Sequence, residues 1–282
     1  MTVIGAAGRD IGGRSEKSAA KSAENSLRDL VAETRVLTWR LLVRQARTPM
    51  ALVHGVVLPS SFLVTLKVVF GDSITTITGQ DALHRSVPLA VLISAISGSS
   101  TGMVGVGAER LSGFIARLWV LPIHRAAGLL ARLAAEVIRL LMTTAVVLGV
   151  GVALGFRFER GIGFALLWVT VPVISGVAFA ALVTAAALLA PTVIMVEATQ
   201  PVIVLGGMFC TGFVPLDMYP EWVQPLVQYQ PMSLAADAMR GLSLGGPVWP
   251  PMMGCLLWCA AIIALCLWPI TAGYRRAARG ER

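Results

Sequence analysis

Long apolar runs separated by short polar segments make up most of the chain, and six of these runs have the length of a membrane span. A bilayer core of about 30 Å needs about 20 apolar residues in a helix. The six runs cover about residues 51–70, 87–107, 137–156, 162–189, 196–214 and 251–271. Pro59 and Pro172 lie inside two of them, where a transmembrane helix tolerates a bend. The pattern predicts an all-α integral membrane protein with six transmembrane helices, in a domain that covers residues 49–274.

The segment before the first span, residues 26–48, has the periodicity of an amphipathic helix. Ser26 and Asp29 fit a capping box at its start. Arg40 and Arg44 share a face, and Trp39 lies beside them. This pattern favours an N-terminal amphipathic helix in the membrane interface over a solvated charged helix. Gly, Ser, Ala and charged residues dominate the segment before it, which predicts a disordered tail over residues 1–25.

A second amphipathic segment separates the second and third spans and runs from Glu109 to Leu141. Its arginines recur seven residues apart, at Arg110 and Arg117 and then at Arg125, Arg132 and Arg139. Pro122 divides the segment into two short helices, because its ring clashes with the preceding turn. From the residues alone, either a hairpin that fits the groove of a partner or ordinary anchoring at the membrane surface explains these arginines.

The segment between the fifth and sixth spans, "FVPLDMYPEWVQPLVQYQP", is too broken by its four prolines to cross a bilayer. The piece that follows, Met232 to Leu242, is apolar on one face, and its eleven residues reach only about 16 Å as a helix. Asp237 and Arg240 are placed to pair within it. Pro220 and Pro231 suit first-turn positions of helices. We expect two short re-entrant helices with Trp222 at headgroup level; the alternative is a loop on the membrane surface. The residues that define this outer cap are Pro215, Pro220, Trp222, Pro231, Asp237 and Arg240.

Composition and charge support a membrane protein and give its orientation. Hydrophobic residues make up 56% of the chain and charged residues 13%, against about 25% charged in soluble domains. Of the 23 Lys and Arg residues, 18 fall on the side of the termini, and only Arg85, Arg157, Arg160 and Arg240 fall in the opposite loops. The positive-inside rule therefore predicts that both termini, including the basic tail of residues 275–282, are cytoplasmic in a multi-pass protein of the plasma (inner) membrane. The net charge of +8 reflects this topology rather than binding to nucleic acid.

The sequence contains no catalytic constellation or nucleotide motif. His54, His84 and His124 are too far apart in the predicted topology to share a metal, and the four cysteines are interpreted as small apolar residues. Glu136 with Arg139, near the cytoplasmic end of a span, is interpreted as a pair. We therefore expect no metal, no cofactor and no enzymatic activity in this chain.

Small residues in the second and fifth spans allow two interpretations. Close helix packing is the first, and Gly98 with Gly102 forms a GxxxG pair that favours it. The second is a polar lining for a translocation path. The residues concerned are Ser97, Gly98, Gly102, Gly207 and Gly212.

Two separated stretches resemble the type 2 ABC exporter permease family. The stretch "GMFCTGFVPLDMYPEWVQPLVQYQPMSLAADAMRGL" resembles the family signature after the fifth span, and "ERLSGFIARLWVLPIHRAAGLLARL" resembles its cytoplasmic motif. Within the family, "ARLWVLPIHRAAGL", "LGFRF" and "GYRRA" are similar to the daunorubicin-resistance-type permeases of mycobacteria, which export complex polyketide lipids. The resemblance covers about residues 26–279.

The resemblance implies half of an ATP-driven exporter of lipids or amphiphilic drugs. Such permeases pair with a second permease, either a different chain or a second copy, and each half docks a cytosolic subunit that binds ATP and Mg²⁺. The cytoplasmic hairpin would then be the coupling hairpin that contacts this ATPase. Its candidate residues are Glu109, Arg110, Gly113, Arg117, Leu118, Pro122 and Arg125. Two alternatives remain, an ATPase-independent secondary transporter or channel and a membrane scaffold for lipid assembly.

Overall fold

The computed structural model describes residue 28 and residues 30–78, 83–111, 127–189 and 205–278. Within these residues the regular structure is entirely helical, without strands. Helix α1 covers 30–46, and α2 is a continuous helical run through Pro49–Leu52, a π-helical turn at Val53–Val57 and Leu58–Thr78. The remaining helices are α3 (Leu83–Leu111), α4 (Ala127–Ala153), α5 (Ile162–Leu189), α6 (Gln224–Tyr229), α7 (Pro231–Leu244) and α8 (Trp249–Ala278). The fold is therefore all-α, as the sequence predicts.

Helix α5 lies at the centre of the helix bundle and packs against α3 on one side and α8 on the other. The short helix α7 packs against the same three helices. The main buried cluster draws its side chains from all four, with Leu92, Val171, Met239 and Cys255 as examples. The core is thus formed where α7 enters the bundle.

Three helical segments in the described residues are long and apolar enough to cross a membrane: Leu130–Ala153, Ile162–Ala186 and Trp249–Leu267. Gly55–Val69 is a shorter apolar segment of the same kind. Much of their surface is apolar and exposed, as at Leu257 (71%) and Leu265 (76%), which suits contact with lipid tails. These segments overlap the predicted first, third, fourth and sixth spans. The first half of the predicted fifth span, residues 196–204, lies outside the described residues. Six spans remain a prediction.

The end of the third span differs from the prediction of 137–156. Helix α4 stops at Ala153, and Gly155 adopts a φ of 111°, a conformation that side chains rarely allow. Phe156 then turns back into the bundle, where it is fully buried against Phe158 and Trp168. An apolar pattern does not distinguish a helical residue from one that folds back onto the helix, so the predicted boundary was too late.

Helix α2 contains a π-helical turn just before Pro59, and the described contacts explain it. A proline at this position has no N–H for the carbonyl of Gly55, four residues earlier. The helix widens just before it, where the Leu58 N–H bonds to the carbonyl of Val53. The buried hydroxyl of Ser94 on α3 donates a hydrogen bond to the free Gly55 carbonyl. The irregular turn at Pro59 is therefore linked to a neighbouring helix by a hydrogen bond.

Helix α1 contacts the bundle at the start of α4. The buried hydroxyl of Thr38 lies 3.3 Å from the carbonyl of Ala131 and 2.7 Å from that of Thr34. Three apolar side chains of α1 stay exposed, namely Val31 (68%), Val36 (66%) and Trp39 (69%), and Arg40 and Arg44 are exposed too. A helix that contacts the bundle through Thr38 and leaves apolar side chains uncovered has the surface expected of an interfacial helix.

Candidate functional site

The proline-rich segment folds into a turn of 3-10 helix at Leu216–Met218 followed by α6 and α7. Pro231 occupies the first turn of α7, as predicted, but Pro220 does not begin a helix. Its carbonyl instead accepts the N–H groups of Val223 and Gln224 in a turn that leads into α6, where Pro225 takes the early helical position. The prediction that Pro220 begins a helix was therefore wrong, since the helix begins about one turn later. Several prolines in this segment suit a helix start, and the sequence does not show which of them is used.

Side-chain hydrogen bonds to backbone carbonyls connect this segment to the neighbouring residues. The Tyr219 hydroxyl donates to the Met208 carbonyl at 3.2 Å, and burial raises the pKa of this phenol, so it remains a neutral donor. Trp258 of α8 donates from Nε1 to the Tyr229 carbonyl at 2.8 Å. Gln230 donates to the Phe209 carbonyl and, at 2.9 Å, to Ser233 Oγ. The segment is an ordered part of the bundle.

Helix α7 is buried on most of its surface, unlike an ordinary surface helix. Nine of its 14 residues are buried, and its first turn lies beside the helical turn at 205–208 and the residues that follow. A Cβ at Gly212 would lie 3.3 Å from Ala236, so the small residue is needed for this contact. A Cβ at Gly207 would have ordinary contacts with Met232 and Ile93. Leu234 packs against Gly254 of α8.

A polar network joins α7 to the end of the predicted fifth span. The carboxylate of Asp237 accepts hydrogen bonds from Thr211 Oγ1 at 2.9 Å and from Arg240 Nη2 at 2.8 Å. The Thr211 N–H donates to Ser233 Oγ at 3.1 Å. The predicted pairing of Asp237 with Arg240 is confirmed, and Thr211 and Ser233 are additional members. The sequence could not indicate them, because a hydroxyl at the end of a span has many alternative partners.

Aromatic and apolar side chains remain exposed around this segment. Trp222 is 84% exposed, Leu226 76%, Tyr229 63% and Trp249 67%. Trp and Tyr concentrate at the interface between the bilayer and water. This end of the bundle therefore has the surface expected of a protein segment that lies among lipid headgroups.

A second polar site is an ion pair enclosed between α3 and α4. Arg139 donates to Glu136 at 2.5 Å and 3.1 Å, and the Ser99 hydroxyl donates to the same carboxylate at 2.6 Å. Arg139 also reaches Ser99 Oγ at 3.0 Å and the Ala95 carbonyl at 3.3 Å. The side chains of Arg139 and Glu136 are only 10% and 12% exposed. The pair predicted from the sequence is present, and the structure adds Ser99 to it.

Gly98 gives this ion pair its space. A Cβ at Gly98 would lie 2.8 Å from the Cζ atom of Arg139 and closer still to one of its terminal nitrogens. Gly98 was predicted to pack against another helix or to line a translocation path. The group closest to it in the structure is the guanidinium of Arg139. Ser97 is partly exposed, and Gly102 lies within α3.

The predicted coupling residues fall mostly outside the described part of the chain. Glu109 and Arg110 lie in the last turn of α3. The remaining five are outside the described residues: Gly113, Arg117, Leu118, Pro122 and Arg125. Over the residues that are described, no group of three or more His, Cys, Asp or Glu side chains could hold a metal ion.

The fold and these sites define a multi-pass α-helical membrane protein without a recognisable catalytic centre in the described residues. Residues 32–244 match the ABC-2 type transporter family. The chain belongs to this family. It is 46% identical over 255 residues to a protein of Mycobacterium tuberculosis named "Probable doxorubicin resistance ABC transporter permease protein DrrC", covering 90% of this chain and 92% of that protein.

More distant relatives have related names. The chain is 25% identical to the daunorubicin resistance ABC transporter permease protein DrrB1 of Streptomyces coeruleorubidus over 76% of each chain. It is 26% identical to the putative transport permease ycf38 of Cyanophora paradoxa over 75% of this chain. The family resemblance drawn from the two motifs is confirmed. The comparisons therefore show a membrane protein of the ABC-2 type that is homologous to drug-resistance permeases.

Proposed function

We propose that the protein is the permease subunit of an ATP-driven exporter that moves a hydrophobic substrate from the cytoplasmic side outward. The observation that carries the proposal is the 46% identity, over 90% of the chain, with a permease named for doxorubicin resistance. A complex polyketide lipid or an amphiphilic drug is the substrate class. The lipid assignment rests on the sequence motifs shared with the C component of the mycobacterial daunorubicin/phthiocerol-dimycocerosate export system.

The proposed assembly contains two permease halves and two copies of a cytosolic ATP-binding subunit. The second permease is a different chain or a second copy of this one. ATP and Mg²⁺ belong to the partner subunit, and residues around Gly113 to Arg125 form the coupling hairpin. Closure of the ATP-binding subunits moves this hairpin only if its contacts differ between the open and closed states.

The segment of α6 and α7 is the outer re-entrant cap in this proposal, with both chain termini cytoplasmic. Helix α7 has 14 residues, a length of about 21 Å, which is too short to cross the bilayer. Its burial among α3, α5 and α8 supports the cap, because backbone at membrane depth must be enclosed by protein or face water. The exposed Trp222 and Tyr229 support its position at the headgroups.

Co-purification with a separate ATP-binding subunit, followed by reconstitution, is the decisive experiment. The complex should show ATPase activity stimulated by the substrate and export into the vesicle lumen. Charge reversal at Glu109 or Arg125 should reduce both activities, whereas Arg157→Glu on the predicted outer side should leave them near wild type. Wild-type export and ATPase in both hairpin variants would show that the coupling assignment is wrong.

The two alternatives predict different results in the same system. A secondary transporter or channel would move substrate in vesicles without any ATP-binding subunit. A scaffold for lipid assembly would bind biosynthetic enzymes and move nothing. Among the described residues, the ion pairs Glu136–Arg139 and Asp237–Arg240 each lie within one helix and form no relay along one path, which supports the exporter over a secondary transporter.

A further inference from the structure

Two arginines at the predicted outer end, Arg85 and Arg240, lie together although they are far apart in the sequence. Arg85 is in the first turn of α3, and Arg240 is on α7. Arg85 Nη1 donates to the Thr211 carbonyl, and Thr211 Oγ1 and Arg240 Nη2 both donate to the Asp237 carboxylate. Burial lowers the pKa of Arg85 and the charge of Arg240 lowers it further, whereas the carboxylates of Asp237 and Asp217 raise it. The fold therefore brings two of the four outer arginines to one place.

The protein supplies little compensation for Arg85 in the part of the chain that the structure describes. Its Nη1 atom donates to the Thr211 carbonyl at 3.4 Å, which is a long hydrogen bond. Its Nε atom is enclosed and has no acceptor. The Asp237 carboxylate is already bonded to Thr211 and Arg240. A partly buried guanidinium with one weak acceptor is costly, because it has lost water without gaining equivalent bonds.

The neighbouring arginines do not share this deficit. Arg160 caps the end of α7 by donating to the Gly241 carbonyl at 3.4 Å, and it stacks on the Phe164 ring at 4.3 Å. Arg157 extends its side chain into the exposed region beside Glu159 in the sequence. These two residues have ordinary structural explanations. Arg85 keeps an enclosed Nε donor without an acceptor, beside the ion pair of Arg240 with Asp237.

We propose that Arg85 and Arg240 form a binding site for a phosphate-type anion, with the headgroup of an anionic lipid or amphiphile as its occupant. A guanidinium presents paired N–H donors that match the oxygens of a phosphate group. The site adjoins α7 and the exposed Trp222 and Tyr229 lie on the same segment, so an occupant with an acyl chain in the bilayer could reach it. The anion would supply the acceptors that Arg85 lacks.

Binding to the full-length protein in detergent micelles tests the site without the ATP-binding subunit, so the result is independent of the export proposal. The probes are dihexanoyl phosphatidylglycerol, dihexanoyl phosphatidylcholine and inorganic phosphate. Isothermal titration calorimetry measures the affinity of the protein for each of them. We expect the wild type to bind the anionic lipid about tenfold more tightly than the zwitterionic one, since a charged hydrogen bond gives a discrimination of this order. Arg85→Gln should abolish this preference, and Arg85→Lys should keep part of it.

Arg157→Gln is the matched control, because it removes one charge from the same predicted side of the membrane without touching the site. Equal loss of preference in Arg85→Gln and Arg157→Gln would overturn the proposal in favour of general surface charge. Equal binding of the two lipids by the wild type would also overturn it. Binding of inorganic phosphate without preference for the anionic lipid would support the anion site and overturn the headgroup as its occupant. A thermal unfolding curve for Arg85→Gln establishes that the variant is folded.

Discussion

At the scale of single residues, Gly98 shows how a small side chain can serve an ion pair rather than a helix contact. The guanidinium of Arg139 lies where a Cβ at Gly98 would be. The end of an arginine side chain is flexible, but here it is held by Glu136, Ser99 and the Ala95 carbonyl. Moving it aside would break these bonds in an enclosed place, where a charge left unpaired is costly.

We therefore expect Gly98→Ala to lower the free energy of unfolding by about 1–3 kcal/mol, the usual cost of overpacking. Gly149→Ala is the control, because a Cβ at Gly149 meets nothing within 4 Å in helix α4. That change should be neutral or stabilising by about 0.5–1 kcal/mol, since alanine favours a helix. Unfolding of the purified variants with SDS measures both changes in the free energy of unfolding. Equal stability of the two variants would contradict the role of Gly98.

The sequence predicted the pairs within a helix but not the contacts between helices. Glu136 with Arg139 and Asp237 with Arg240 are three residues apart, and this spacing alone brings such side chains together. Ser99 and Thr211 join these pairs from other segments. Which face of α3 meets α4 depends on packing across the whole bundle, and a single sequence does not contain that information.

At the scale of elements, the irregular turn of α2 at Pro59 is joined to α3 by a hydrogen bond. Pro59 leaves the Gly55 carbonyl without its helical partner, and Ser94 supplies a donor. In a lipid environment an unsatisfied carbonyl has no water to bond to. An irregular turn at this point was predictable from the proline, whereas its contact with Ser94 of α3 was not.

Ser94→Ala should lower stability by about 0.6–2 kcal/mol, the range of hydrogen bonds between membrane helices. The same change should cost less in a Pro59→Ala background, because an alanine N–H at position 59 can bond to the Gly55 carbonyl. A double-mutant cycle on the purified protein measures this coupling. Additive effects of the two substitutions would show that the two residues act separately.

At the scale of the whole molecule, the orientation of the chain follows from charge rather than from contacts. The lysines and arginines predict which end of the bundle faces the cytoplasm. The described helices show how these ends are built, with α1 attached near the start of α4 and α6 and α7 beyond the end of the predicted fifth span. The amphipathic α1 was predictable from its periodicity. The deep burial of α7 was not, because its sequence shows only one apolar face.

Cysteine labelling in intact cells tests this orientation. The native thiols at Cys210, Cys255, Cys259 and Cys266 are all buried, so they give a low background. Glu221→Cys, at an exposed position before α6, should react with a membrane-impermeant maleimide from outside. Arg35→Cys, at an exposed position of α1, should react only after the membrane is permeabilised. The reverse pattern would invert the predicted topology.

The burial of α7 also sets the order in which the protein is completed. Helices α3 and α5 precede α7 in the chain, but α8, which covers it through contacts such as Leu234 on Gly254, follows it. During synthesis α7 therefore leaves the ribosome before α8, one of the three helices that enclose it. It is too short to be held by the bilayer alone, so its final position depends on the insertion of α8. Completion of the outer end is thus a late event in biogenesis.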